Sequence, residues 1–164
     1  MTMKEIKVSE AENLKKYPLV VGIPTKNSES TVLHVLSNVA EGIDRHFSER
    51  GLIVIADGHS KDSTLDLVEM LPLPKKVDLI VVKDEPPYGK GSGVKSVLEV
   101  GNKVGAHSTT IVDSDLVFIT PSWMELLAKP TLYGRAGLVA PFYHRHKYDG
   151  MITNVLAYPF TKAI

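Results

Sequence analysis

Apolar residues of this chain are grouped in short runs rich in β-branched side chains, and segments with a different spacing separate the runs. Each run is almost continuously apolar rather than alternating, which is typical of strands that helices cover on both faces. We therefore predict strands, in a mostly parallel sheet, over residues 19–23, 52–56, 77–82, 109–112 and 137–140.

The segments between the first three runs carry apolar residues at the spacing of amphipathic helices. The first of these helices has Ser28 or Ser30 available as its N-cap. The second follows Asp62 or Ser63, and Pro72 ends it because the residue before a proline disfavours helix.

Two further helices complete the pattern. One is predicted over residues 92–104, and the other opens with Pro121, since proline is favoured at the first helical position. Strands and helices thus alternate, and crossovers between parallel strands are almost always right-handed. The predicted fold class is α/β, with a doubly wound, Rossmann-like sheet that binds a nucleotide at the carboxyl ends of its strands.

Composition and charge restrict the classes of function. The 164 residues are 43% hydrophobic and 23% charged, as in an ordinary globular domain. Lys plus Arg and Asp plus Glu number 19 each, so the charge gives no indication of a nucleic-acid partner. The chain has no cysteine, which excludes disulfides and thiolate metal sites. No apolar run has the length of a signal or membrane segment, and we expect a cytoplasmic protein.

The loops after three of the predicted strands carry polar residues that one crevice would bring together. Asp113 and Asp115 directly follow the fourth run. Two carboxylates at a strand end can share Mg²⁺ or Mn²⁺, with the phosphates of a nucleotide as further ligands. The alternative for these residues is a solvated turn or a helix cap.

Two other loops indicate nucleotide binding more weakly. Asp57, after the second run, can accept a hydrogen bond from a base N–H and so select uracil or guanine, or it can belong to a simple turn. Lys90 lies between Gly89 and Gly91 just before a predicted helix, where it can meet a phosphate near the positive helix end, or these residues form an exposed loop. A basic cluster at residues 144–147 would meet an anionic acceptor or the diphosphate, or be solvated.

The order and spacing of four segments resemble the motif series of GT-A-fold glycosyltransferases. The segments are residues 23–29, 56–64, 89–91 and 113–115. The broader match is to family-two-like transferases, and within the fold the chain resembles enzymes of the glucosyl-3-phosphoglycerate synthase and mannosyl-3-phosphoglycerate synthase type. The resemblance covers residues 18–164, so we predict an N-terminal extension over 1–17 and a nucleotide-sugar-binding domain over 18–164.

The resemblance implies roles for individual residues. Asp115 would bind the metal together with Asp113, which would lie on the sugar or ribose side. The base or nucleoside would be held by the loops after the first two strands, and Lys90 would reach the nucleotide. The residues implied for the donor nucleotide are Pro24, Glu29, Asp57, Ser60, Lys90 and Asp113.

The acceptor site and the C-terminus depart from the pattern of these synthases. Their Gly-Arg-x-Thr stretch contributes to the phosphoglycerate site, and the resemblance assigns acceptor binding to Gly150 and Thr153. Met151 stands at the arginine position, which puts a phosphoglycerate acceptor in doubt unless Arg145 or Lys147 supplies the charge. Members of the fold are usually longer, so we expect a chain truncated at its C-terminus.

The sequence therefore predicts a hexosyltransferase that moves a sugar from a UDP-sugar or GDP-sugar donor to a small-molecule acceptor hydroxyl with Mg²⁺ or Mn²⁺. No catalytic base can be assigned. Two alternatives stay open: a nucleotidyltransferase, and a nonenzymatic fragment in which the truncated domain binds a nucleotide sugar without turning it over. Apolar surface near the C-terminus would favour a homo-oligomer.

Overall fold

The computed structural model describes residues 4–83 and 89–141 together with residues 160 and 162. The strands are β1 (Lys4–Ile6), β2 (Leu19–Thr25), β3 (Gly51–Asp57), β4 (Val77–Lys83) and β5 (Ser108–Ile111). The helices are α1 (Val32–His46), α2 (Thr64–Met70), α3 (Lys90–Lys103) and α4 (Ser122–Leu132), and a short 3-10 helix spans Val8–Asn13.

The strands form one five-stranded sheet in the order β1-β4-β3-β2-β5, and every described pair is parallel. The predicted α/β class is confirmed. Strand β2 has β3 on one side and β5 on the other, because the chain passes outward from β2 to β3 and β4 and then crosses back to β5, which reverses the strand order at β2. In open α/β sheets a crevice forms at this point, outside the carboxyl ends of the strands.

Hydrophobic cores lie on both faces of the sheet because side chains alternate along each strand. In β2, Leu19, Val21 and Ile23 pack on the face covered by α1, α2 and α4. Val20 faces the other side, where it joins α3 and the 3-10 helix. Burial on both faces explains why the central strands are continuous apolar runs.

Two parts of the strand prediction were wrong. Residues 137–140 form no strand, and Leu138 in this segment is 85% exposed, so its apolar character does not reflect burial. The sequence also missed β1, which pairs with β4 and closes one edge of the sheet. Its three residues include a single apolar side chain, which is too short a pattern to detect. The domain boundary at residue 18 stays a prediction.

The helix starts differ slightly from their prediction. The N-cap position of α1 is Thr31, whereas Ser28 accepts hydrogen bonds through its backbone carbonyl from the amides of Thr31 and Val32. Helix α3 begins at Lys90, two residues before its predicted start, so the glycine-containing segment forms its first turn. In the described part of the chain, no helix is long and apolar enough to cross a membrane.

Tyr17, in the segment before β2, joins that segment to β4. Its hydroxyl donates a 2.8 Å hydrogen bond to Oδ2 of Asp78, which also pairs with Arg50 at 2.5 Å. Burial, and then the hydrogen bond to the Asp78 carboxylate and its charge, raise the pKa of Tyr17 to about 12. The folded state therefore holds the phenolic proton more tightly than the unfolded state does.

We expect Tyr17→Phe to lower the free energy of unfolding at neutral pH by roughly 1 kcal/mol, the usual size of one lost hydrogen bond. The contribution is fully present below the unfolded pKa of 10.0 and is lost as pH rises toward about 12. Urea unfolding of both proteins at several alkaline pH values measures this. The difference between wild type and variant should shrink over that range, and a constant difference would contradict the assignment.

Candidate functional site

A cavity of about 450 Å³ lies at the carboxyl ends of β2 and β5. Four of the predicted site residues line it: Pro24, Lys90, Asp113 and Asp115. Further lining residues come from the loop after β2, the ends of β3 and β5, and the start of α3. They are Thr25, Lys26, Asn27, Ser28, Ser30, Thr31, Ala56, Gly58, Gly89 and Ser114. The crevice predicted for a doubly wound sheet thus brings together residues far apart in sequence.

Lys90 and Asp113 form an ion pair across the cavity. Lys90 Nζ lies 2.7 Å from Asp113 Oδ1, and the two side chains are 67% and 42% exposed. A pair this exposed contributes little to stability, so the lysine can leave the carboxylate for a stronger anion at small cost. Lys90 is also the first residue of α3, where the amide groups of the helix end favour negative charge.

The two carboxylates fit a divalent cation that takes part of its coordination from a ligand. Asp113 and Asp115 flank Ser114 and both line the cavity. Among the residues that the structure describes, no group of three or more His, Cys, Asp or Glu side chains is placed to hold a metal ion. Hard cations such as Mg²⁺ are commonly bound by one or two carboxylates plus substrate phosphates and water, and Asp113 and Asp115 would supply the carboxylates of such a donor set.

The Asp57 carboxylate is directed to the turn after β3. Asp57 is 1% exposed, and its Oδ1 accepts a 2.6 Å hydrogen bond from the hydroxyl of Ser60 while Oδ2 accepts one of 3.1 Å from the Ser60 amide. Neither residue lines the cavity. Contact of Asp57 and Ser60 with a base stays a prediction, and the structure shows both residues ordering this loop.

Glu29 and Asp62 join the loop after β2 to the start of α2. The Glu29 amide donates to Asp62 Oδ2, and Glu29 Oε2 accepts from the amide of Ser63, both at 3.1 Å. The hydroxyl of Thr64, and more weakly the Glu29 and Thr64 amides, lower the pKa of Asp62. Asp62 Oδ1 also accepts a 3.1 Å hydrogen bond from the amide of Thr64, the first residue of α2, whereas the side chain of Ser63 at the N-cap position makes no capping bond. A role for Glu29 at the nucleotide stays a prediction.

Other polar groups of the cavity were not singled out from the sequence. Thr25 is 4% exposed, and its Oγ1 is the buried side-chain polar atom without a partner among the described residues. Asn27 adopts φ of 50° and links the loop after β2 to the loop after β3. Its backbone amide donates to Ser60 Oγ, and its side-chain Oδ1 accepts from the backbone amide of Lys61. Lys26 adds a second cation to the cavity wall. All three lie in the segment 23–29, and the resemblance of that segment to a GT-A motif was the feature of the sequence that could have identified them.

The acceptor assignments cannot be placed. Gly150 and Thr153 lie outside the described residues, as does the basic cluster 144–147. Of the residues predicted for the donor nucleotide and the metal, the described cavity contains Pro24, Lys90, Asp113 and Asp115, whereas Glu29, Asp57 and Ser60 are not among its lining residues.

Comparison with known proteins gives a fold. No protein-family model matches the chain, and no curated protein matches it. Among solved structures, glucosyl-3-phosphoglycerate synthase from Mycobacterium tuberculosis in complex with Mn²⁺, UDP and phosphoglyceric acid matches 95% of the chain with 22% identity and a TM-score of 0.67. The same enzyme with Mn²⁺, UDP-glucose and phosphoglyceric acid matches 98% of it with 21% identity and a TM-score of 0.66.

This chain has the GT-A fold. It covers 51% and 57% of those two structures, so it spans about half the length of the proteins it matches. TarS from S. aureus also matches, over 68% of this chain and 30% of TarS, with 23% identity and a TM-score of 0.47. The predicted fold class and the predicted likeness to this type of synthase are confirmed at the level of the fold.

Proposed function

We propose that this chain is the nucleotide-sugar-binding part of a metal-dependent glycosyltransferase. The observation that carries the proposal is the joint lining of one crevice by Pro24, Lys90, Asp113 and Asp115, at the switch point of a GT-A sheet. The two complexes of the synthase described above contain Mn²⁺ with UDP and Mn²⁺ with UDP-glucose. A divalent metal and a nucleoside diphosphate sugar donor are the corresponding proposals for this chain.

The charges of the cavity suit a diphosphate bound together with a cation. Asp113 and Asp115 supply oxygen ligands, while Lys26 and Lys90 supply positive charge for phosphate oxygens. When bound, Mg²⁺ or Mn²⁺ supplies Lewis-acid stabilisation of the departing diphosphate. Lys90 assists by donating hydrogen bonds to the same oxygens, and its position at the start of α3 adds the favourable helix field.

The nucleoside is expected to lie against the end of β2 and the loop that follows it. Pro24 and Thr25, the last residues of β2, line the cavity, and the unpartnered Thr25 hydroxyl is a buried group that a ligand can satisfy. Both of these synthase complexes contain a uridine nucleotide, so a UDP-sugar is proposed ahead of a GDP-sugar. Phosphoglyceric acid occurs in the same complexes, and a phosphoglycerate-like acceptor is proposed on that likeness alone.

A thermal-shift titration tests this function. The chain is melted with UDP, GDP, UDP-glucose or GDP-mannose, each with Mn²⁺, with Mg²⁺ and with EDTA. A ligand at about 100 times its Kd raises the melting temperature of a domain this size by roughly 5–10 °C. We expect such a rise for the uridine ligands with metal and a much smaller one in EDTA.

Two added measurements distinguish the alternatives: melting with UTP or GTP, and an assay of UDP release from UDP-glucose in the presence of acceptor. A nucleotidyltransferase predicts a larger rise with UTP or GTP than with the diphosphates. A nonenzymatic binding fragment gives the metal-dependent rise but releases no UDP from UDP-glucose when supplied with acceptor. Absence of any metal-dependent rise would refute the nucleotide site.

A cytoplasmic location and a homo-oligomer stay predictions.

A further inference from the structure

Asp113 and Asp115 lie in the loop after β5, beyond the point where the chain leaves the sheet. Strand β5 ends at Ile111, and the next residue still contacts the sheet: the Val112 amide donates a 2.9 Å hydrogen bond to the Gly22 carbonyl of β2. Asp113 and Asp115 therefore lie on a segment that the sheet does not hold directly. Some other contact must set the positions of their oxygen atoms.

That contact is made by Ser114, between the two aspartates. Ser114 is 8% exposed, and its hydroxyl lies 2.9 Å from the hydroxyl of Ser28, which is 9% exposed. Its backbone carbonyl accepts a 2.7 Å hydrogen bond from Thr31 Oγ1. Ser114 is thus attached at two points to the loop after β2, in a buried position where such bonds are stronger than at the surface.

The Ser28 end of this contact continues into a third loop. The Ser28 amide donates a 2.8 Å hydrogen bond to Thr64 Oγ1, and the Thr64 hydroxyl donates one of 2.6 Å to Asp62 Oδ1. Thr64 is fully buried. One chain of hydrogen bonds therefore runs from the start of α2, through the loop after β2, to the segment that carries both carboxylates.

We propose that Ser28 and Ser114 are positioning residues, and that their hydroxyl contact fixes the two carboxylates in the geometry that binds the metal. The inference rests on the proposed function, because it concerns the affinity for the cation that Asp113 and Asp115 would bind. Groups that orient metal ligands typically change metal affinity by about 10-fold to 100-fold when removed. The same contact connects the metal-binding segment to the loop that lines the nucleotide side of the cavity.

The test measures three quantities for wild type, Ser114→Ala, Ser28→Ala and the double variant. They are the Kd for Mn²⁺ at saturating UDP, the Kd for UDP in EDTA, and the melting temperature without ligand. We expect each single variant to weaken Mn²⁺ binding about 10-fold. UDP binding in EDTA should change less than about twofold, and the double variant should bind Mn²⁺ no more weakly than either single variant, since both remove one contact.

The matched control is Ser37→Ala, which removes a hydroxyl that donates to the His34 carbonyl within α1, away from the cavity. It should leave all three quantities close to those of the wild type. A purely structural role would lower the melting temperature and weaken UDP and Mn²⁺ binding in parallel. That result, or unchanged Mn²⁺ affinity in Ser114→Ala and Ser28→Ala, overturns the proposal while the proposed function stands. Absence of metal-dependent UDP binding in the wild type instead refutes the proposed function.

Discussion

Asp115→Asn is expected to weaken UDP binding in the presence of Mn²⁺ by about 100-fold, while UDP binding in EDTA stays the same or improves slightly. The substitution keeps the shape of the side chain and removes its charge. Residues that merely orient metal ligands already account for about 10-fold to 100-fold in metal affinity, so a direct ligand should reach the upper end of that range. Without metal, loss of a carboxylate from the cavity wall reduces repulsion of the diphosphate.

Isothermal titration calorimetry with UDP, in Mn²⁺ and in EDTA, measures both effects. Asp44→Asn is the matched control, because Asp44 is an exposed aspartate near the end of α1 that faces Lys76 at 3.6 Å and lies outside the cavity. It should leave the metal-dependent gain in affinity unchanged. If the Asp115→Asn protein retained the full metal-dependent gain in UDP affinity, Asp115 would not be a metal ligand.

Gly22→Ala is expected to lower the free energy of unfolding by about 3 kcal/mol, the upper end for overpacking in a close-packed interior. Gly22 lies in β2 under α3, and a Cβ built there would overlap both methyl groups of Val97. Val97 is fully buried and its β-branched side chain has little rotamer freedom, so it cannot move aside. Helix α3 would have to move away from the sheet, and Lys90 at its first residue would move with it.

Urea unfolding measures the loss, and two further variants identify its cause. Gly91→Ala, in the first turn of α3, introduces a Cβ that meets nothing within 4 Å, so it should change stability little or increase it by about 0.5 kcal/mol. Combining Gly22→Ala with Val97→Ala removes the overlap with both methyl groups, leaves the Cβ of residue 97 at 2.9 Å, and should recover part of the stability. A double variant less stable than Gly22→Ala alone would show that close approach of α3 is not the reason for this glycine.

The fold could be predicted from the sequence wherever burial alone determines the pattern. Strands β2, β3 and β4 have helices on both faces, and their continuous apolar runs mark them directly. The same reasoning failed at the edges of the sheet. Strand β1 is too short to show a pattern, and residues 137–140 are apolar without being buried. At an edge, pairing depends on neighbours that the local sequence does not specify.

The site could be predicted only in part, for a related reason. Motif order identified Lys90, Asp113 and Asp115, whose side chains do line the cavity. The contact between Ser28 and Ser114 joins residues 86 positions apart, and it depends on the pairing of β2 with β5. Serine and threonine are common in turns and caps, so the sequence gives no reason to expect that these hydroxyls meet.

The most direct test of the central claim is the location of bound Mn²⁺ in the ¹⁵N-labelled chain by paramagnetic broadening of backbone amide signals, with and without UDP. We predict that Mn²⁺ with UDP broadens residues 113–115 most strongly and residues 25–28 and 89–91 next, and that Mn²⁺ alone at the same concentration has a much smaller effect. Broadening centred elsewhere on the chain, or broadening that does not depend on UDP, would contradict a metal-assisted nucleotide site at the carboxyl ends of β2 and β5.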